Sequence, residues 1–203
     1  MKHVIITVGR EFGSGGRAVA EQLAEKLGIK CYDKELLTLT AKKSGFSEKF
    51  IQENEEKKTD SFLFNLVMGI SSQTSNLTGT QPLSVQLYME EFKIIKETAE
   101  KESCVFVGRC ADYVLRDRKD VLSVFIMAPM KSRITRIMDK YGIGEKEASE
   151  KILKTDKERA SYYNYYSDRK WGKANTYQLC IDTSEIGIDG AVEMIQSYLE
   201  KWK

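Results

Sequence analysis

Val4-Ile5-Ile6-Thr7-Val8-Gly9-Arg10-Glu11-Phe12-Gly13-Ser14-Gly15-Gly16-Arg17 is the stretch whose reading decides the fold. Val4 to Val8 is an apolar run of the kind that forms a buried strand. Gly9 to Arg17 is rich in glycine and includes Arg10 and Arg17. Ala18 to Gly28 follows, with Val19, Leu23 and Leu27 four residues apart, the spacing of one helix face. Gly28 stands where a helix C-cap belongs. Strand, glycine-rich turn and helix in succession predict an anion site of the phosphate-loop kind. Glycines let successive N–H groups curl round an anion, and the helix start adds unpaired donors and partial positive charge. The expected phosphate contacts are Arg10, Gly13, Ser14, Gly15, Gly16 and Arg17.

The motif departs from the common pattern, Gly-x4-Gly-Lys followed by Ser or Thr. With Gly13-Ser14-Gly15 laid on the end of that loop, Gly16 falls at the lysine, Arg17 next and Ala18 after it. The hydroxyl that helps to hold Mg²⁺ is therefore missing. Arg17 is the expected stand-in for the lysine. Its fork can grip two phosphate oxygens, and a cation at a helix start is unfavourable unless an anion compensates it.

The chain has 203 residues, and 32 Lys and Arg against 30 Asp and Glu give a formal net charge of +2. That length suits one α/β domain, residues 1–203, with room for a core that needs no disulfides. The near-neutral charge gives no argument for nucleic acid or an anionic membrane, so local clusters of Arg and Lys must carry any anion binding. Cys31, Cys104, Cys110 and Cys180 lack CxxC spacing and read as reduced thiols of a cytosolic protein. No metal-ligating set is expected, and His3, ahead of the first strand, is not expected to be catalytic.

Further along, Ile29–Tyr32, Cys104–Val107, Val121–Ala128 and Tyr177–Ile181 read as strands. Helices are expected from Asp33, over Ser84–Glu102 with Met89 on the packed side, over Lys131–Lys140, over Gly144–Ser167 and over Ile188–Trp202. Glu53 to Lys58 reads as a solvated helix face and Ser71 to Pro82 as a long loop. Strands alternating with helices predict a five-stranded parallel sheet with Val4–Val8 near its centre. Ligands bind beyond the carboxyl ends of such strands. Gly9–Arg17, Asp33, Gly108–Asp112 and Asp182-Thr183-Ser184 should then share one rim.

Those rim residues resemble a nucleoside monophosphate kinase and, more narrowly, the bacterial cytidylate kinase-like family. The matching pieces are Ile6 to Arg17, Tyr32-Asp33-Lys34-Glu35-Leu36, Val107-Gly108-Arg109, Asp156 to Tyr163 and Asp182-Thr183. The resemblance implies a three-layer α/β/α P-loop kinase fold with a helical lid. It also implies an acceptor-binding insertion at about residues 34–102 and a lid at about 140–175. The implied reaction moves the γ-phosphoryl of ATP to a nucleoside monophosphate. Mg²⁺ would be held mainly by nucleotide phosphates and water.

By the same resemblance Arg109 would hold the acceptor phosphate, and Asp33 and Lys34 would meet the acceptor. Asp33 serves equally well as a helix N-cap. Arg133, Arg136 and Arg159, with Arg17, would neutralise the charge that develops during transfer. Lys154 belongs to the same region, and Arg169, Lys170 and Lys173 to the loop after it. Tyr162, Tyr163, Tyr165 and Tyr166 read as packing residues. The chain departs from cytidylate kinases at the missing loop lysine, at Lys34-Glu35-Leu36 after Asp33, and at Cys110 in place of the Asp of their Gly-Arg-Asp motif. CMP is therefore one candidate acceptor and the base stays open. Two other readings stand beside the kinase: a sensor that binds a nucleotide or phosphometabolite without transfer, and a kinase for a non-nucleotide metabolite.

Overall fold

The computed structural model describes residues 3–33, 36, 38–39 and 83–202. Lys34 and the stretches Glu53–Lys58 and Ser71–Pro82 lie outside them. The chain divides into two compact units, Met1–Tyr32 with Lys101–Lys203, and Asp33–Glu100. Numbered in chain order, the described elements of the first unit are β1 (Ile5–Arg10), α1 (Gly16–Leu27), β2 (Lys30–Tyr32), β3 (Cys104–Val107), α3 (Ala111–Val114), β4 (Val121–Met127), α4 (Met130–Tyr141), α5 (Glu145–Tyr166), β5 (Leu179–Asp182) and α6 (Thr183–Lys201). Helix α2 (Leu83–Lys101) belongs almost wholly to the second unit. There Ile94, Ile95 and Ala99 are buried while Met89 is exposed, which corrects the packed face expected to include Met89.

The sheet runs β2-β3-β1-β4-β5, and every pairing is parallel. Central β1 has a neighbour on each side, so Ile5 to Val8 are buried. Alternate residues of three strands (Ile6 and Val8, Val105 and Val107, Leu122, Val124 and Ile126) form one face. Val19, Ala20 and Leu23 of α1 cover it with Ala191, Val192 and Ile195 of α6. Truncating fully buried Leu23 to Ala would cost about 2–5 kcal/mol. Helix α3 lies against β1 and β4.

Several details differ from the sequence reading, and those at the ends of β1, β3 and β5 bear on the site. Strand β1 continues to Arg10, because Gly9 and Arg10 pair with Phe125 and Ile126 after β3 has ended opposite Val8. Ahead of the helix expected from Ile188, an extra helical turn starts at Thr183, where the Asp182 carboxylate accepts the Ser184 N–H at 2.8 Å; non-helical Gly187 (φ 68°, ψ −171°) separates the two parts of α6. A short helix, α3, follows β3 where none was expected.

Asp120 fixes the lower end of the sheet. Its carboxylate accepts two bonds from Arg118, at 3.0 and 2.7 Å, and faces His3 Nδ1 at 2.8 Å. Its carbonyl accepts the Ile5 N–H at the start of β1. The Arg118 bonds, with His3 behind them, hold the Asp120 carboxyl down to about 2. A depressed carboxyl stabilises the fold above its ordinary value, and that contribution is lost as pH falls through the folded value. Asp120→Asn should therefore lower the neutral-pH denaturation midpoint and flatten its decline between about pH 4 and pH 2. An unchanged pH profile would show that this carboxylate does not anchor β1.

Candidate active site

The turn from β1 into α1 reverses the chain between Arg10 and Gly16, and every carbonyl in it finds a partner. Arg159 Nη1 donates to Arg10 O at 3.1 Å, Arg133 Nη1 to Phe12 O at 3.4 Å and Arg136 Nη1 to Gly13 O at 2.6 Å. Ser14 Oγ and N donate to Glu11 O, and Thr183 Oγ1 donates to Ser14 O at 2.6 Å. The loop N–H groups divide into two sets. Those of Glu11, Phe12, Ser14 and Gly16 are bonded within the protein. Those of Gly13 and Gly15 have no protein acceptor among the described residues. No side chain caps α1, and no acidic residue sits in its first turn. This is the chemistry of an anion cradle at a helix N-terminus.

The glycines are required by shape. Gly13 and Gly15 have φ of 82° and 84°. A Cβ on Gly13 would lie 3.0 Å from the Arg133 carbonyl and from Ile137 Cγ1. Gly142 has φ 65° with nothing within 4 Å of such a Cβ. Gly142→Ala should cost only the left-handed backbone penalty of about 1–2 kcal/mol, and Gly13→Ala clearly more, in paired urea titrations. Equal losses would mean that the loop is not held against α4.

Four of the expected arginines gather on this loop. Arg133 is 7% exposed, ion-paired with Asp156 and 3.5 Å from a Glu11 carboxylate oxygen. Asp156 also accepts the Phe12 N–H at 2.7 Å. The Arg133–Asp156 pair thus ties α4, α5 and the loop together. Ile137, Ala148 and Ile152 pack beside it with Phe12. Arg159 stacks on the Phe12 ring at 5.5 Å. Arg10 leaves the end of β1 and passes against Gly16 and Gly108. Arg17 takes another course: its Nε pairs with Glu21 at 2.8 Å, and its side chain is 45% exposed. Lys154 is exposed, 4.0 Å from Glu158. Ser14 is wholly buried and its hydroxyl bonds the loop itself. Sequence reasoning missed Glu11 and Asp156 as fasteners, although Asp156 opens a motif that it singled out.

The second rim segment follows β3. Gly108, Arg109 and Cys110 take φ of 74°, 59° and 54° in succession, closed by Ala111 N–H to Gly108 O at 3.1 Å. Each non-glycine in this region costs about 1–2 kcal/mol, and such strain concentrates at functional sites. Just beyond, Tyr163 donates to Asp112 at 2.6 Å, with Arg169 at 3.8 Å from the same carboxylate oxygen. Burial pushes the Asp112 carboxyl up, opposed by the Tyr163 hydroxyl and Arg169. Burial first, and then Asp112, push Tyr163 up as well. The rings of Tyr162 and Tyr166 lie 4.9 Å apart. Asp33 lies in the second unit. Among the described residues no group of three or more His, Cys, Asp or Glu is placed to hold a metal. No described helix is long and apolar enough to cross a membrane. Burial raises the Cys104 thiol to about 12.

Comparison with known proteins agrees with this architecture. A cytidylate kinase of Methanopyrus kandleri is 22% identical over 205 aligned positions, covering 97% of this chain and 93% of that protein. The crystal structure of an uncharacterized protein from Eubacterium ventriosum superposes with a TM-score of 0.73 at 32% identity, covering 98% of this chain and 99% of that one. Shikimate kinase from Bacteroides thetaiotaomicron shares the fold at a TM-score of 0.55 and 15% identity, covering 97% and 98%. The five-stranded parallel sheet with flanking helices is that of the P-loop kinases. The cytidylate kinase-like family matches residues 5–185, and the chain belongs to that family.

Proposed function

We propose that this protein transfers the γ-phosphoryl of ATP to a nucleoside monophosphate, with CMP the first acceptor to test. The observation that carries the reading is the Arg10–Gly16 turn, whose carbonyls are tied back while the Gly13 and Gly15 N–H groups are left for an anion. Family membership supports a kinase with a nucleotide or other phosphorylated small molecule as substrate. ATP is the donor, held by the backbone from Gly13 to Arg17. Mg²⁺ would be held mainly by the phosphates and water and would supply charge neutralisation.

Phosphoryl transfer asks the protein for position and positive charge more than for covalent chemistry. An acceptor phosphate oxygen bonds to the γ-phosphorus as the bond to the β–γ bridging oxygen breaks, and the electron pair leaves on ADP. Arg109 holds the acceptor phosphate, presented by its left-handed turn. Asp33 and Lys34 are assigned to the acceptor, with an acceptor-binding insertion at about 34–102. Residues 140–175 form the lid region over the donor, and its Arg159 already meets the loop at Arg10 O. Arg136 and Arg133 shape the loop through Gly13 O, Phe12 O and Asp156. We place the reaction in the cytoplasm.

A second reading is a sensor that binds nucleotide without transfer. It is favoured by Gly16 at the lysine position and by the pairing of Arg17 with Glu21.

Coupled ATP-consumption assays over the nucleoside monophosphates, with thermal-shift binding on the same plate, separate the two. Turnover with at least one acceptor supports the kinase; binding without turnover supports the sensor. Within the kinase, Arg159→Ala should lower kcat by about 10²-fold with little change in ATP affinity. Equal losses in kcat and affinity would assign Arg159 to ground-state binding.

A further inference from the structure

We propose that Arg10 supplies the cation that the loop lacks at its usual lysine position. The proposal rests on the kinase reading above. The common motif is Gly-x4-Gly-Lys. Arg10-Glu11-Phe12-Gly13-Ser14-Gly15-Gly16 has the same length, with Arg10 at the first glycine and Gly16 at the lysine. Glycine and cation have exchanged places.

The exchange has a steric cause. A Cβ on Gly16 would lie 2.5 Å from Arg10 Cβ and 3.2 Å from its Cγ. Carbons in non-bonded contact sit about 3.5–4.0 Å apart. Ile126 Cβ would lie 3.1 Å from that added Cβ as well, so a side chain at position 16 needs both an empty position 10 and a small shift of Ile126. Once Arg10 occupies the space, a lysine at position 16 is excluded and glycine is required.

The guanidinium of Arg10 reaches the other half of the site. A Cβ on Gly108 would fall 2.0 Å from Arg10 Nη1 and 3.1 Å from its Cζ. Glycine at 108 is what admits the guanidinium, next to the strained Arg109 turn. The charge thus stands between the loop that would cradle donor phosphates and the arginine that would hold the acceptor phosphate. Its base is rigid: Arg10 pairs with Ile126 in the sheet, and its carbonyl is held by Arg159 at 3.1 Å. A guanidinium keeps five donors and its full charge at neutral pH. It gives up no proton in the reaction and stabilises the charge that gathers on the γ-phosphoryl and the bridging oxygen.

The test exchanges the two residues back. Arg10→Gly, Gly16→Lys and the double variant are compared with wild type for kcat with nucleoside monophosphates and for ATP affinity by calorimetry. Arg10→Gly should lower kcat by about 10²-fold or more. Gly16→Lys should also lose activity, because its Cβ meets Arg10. The double variant should recover to within about tenfold of wild type. Recovery relative to Gly16→Lys reports only the relieved clash; the gain of the double variant over Arg10→Gly alone is what reports the restored cation. Wild-type kcat and affinity in Arg10→Gly would overturn the proposal. So would a folded double variant no better than Arg10→Gly. Should the double variant not fold, Arg10→Lys against Arg10→Met decides: lysine should retain clearly more turnover, and equal rates would overturn the proposal. If wild type binds ATP but transfers to no acceptor, the kinase reading fails by itself. The Arg10 assignment is then decided by whether the double variant recovers the ATP affinity lost in Arg10→Gly.

Discussion

Three guanidinium groups holding three main-chain carbonyls are the constraint on which the site depends. Arg159, Arg133 and Arg136 bind the oxygens of Arg10, Phe12 and Gly13. The problem they solve is local. A central strand buried from Ile5 to Val8 must become a helix within a few residues, and no buried loop carbonyl can be left without a partner. Charged donors make stronger bonds than neutral ones. They come from α4 and α5, so the loop and those two helices become one mechanical unit. Asp156 completes it by accepting from Arg133 and from the Phe12 N–H. Removing either partner of that buried pair would unfasten the loop from α4 or α5, with Glu11 left beside Arg133 or the Phe12 N–H left on Asp156.

The same arrangement explains the unusual loop composition. The arginines of α4 and α5 engage the outer side of the loop, so a lysine rooted in the first turn of α1 is not the only way to bring charge to phosphate. The end of β1 projects past β3, and Gly9 and Arg10 pair only with β4. That projection aims Arg10 over Gly108 towards the strained turn at Arg109 and Cys110. Strain of this kind persists only where its surroundings hold it, here by the bond from Ala111 N–H to Gly108 O and by the short helix that follows.

The sheet was legible in the sequence because its signal is local. Largely apolar runs mark β1, β3 and β4, the shorter run Leu179–Ile181 marks β5, and the spacing of Val19, Leu23 and Leu27 marks α1. What was not legible depends on contacts between distant segments. Nothing near Phe12 announces Asp156, which lies 144 residues away. Arg133 has the same pattern as a solvated or phosphate-binding arginine until its burial against Glu11 and Asp156 is seen. Arg109 and Cys110 are residue types that give no hint of left-handed backbone. Arg17, the residue after the lysine position, pairs through Nε with Glu21 one turn along α1, a contact its spacing in the sequence allows.

The most direct measurement is a crystal structure of the protein with a non-hydrolysable ATP analogue and CMP. The account predicts the triphosphate against the N–H groups of Gly13 and Gly15. It predicts the Arg10 guanidinium within hydrogen-bond distance of a β- or γ-phosphate oxygen, and the acceptor phosphate on Arg109. A triphosphate bound elsewhere, or bound at the loop with Arg10 turned away from it, would contradict the account.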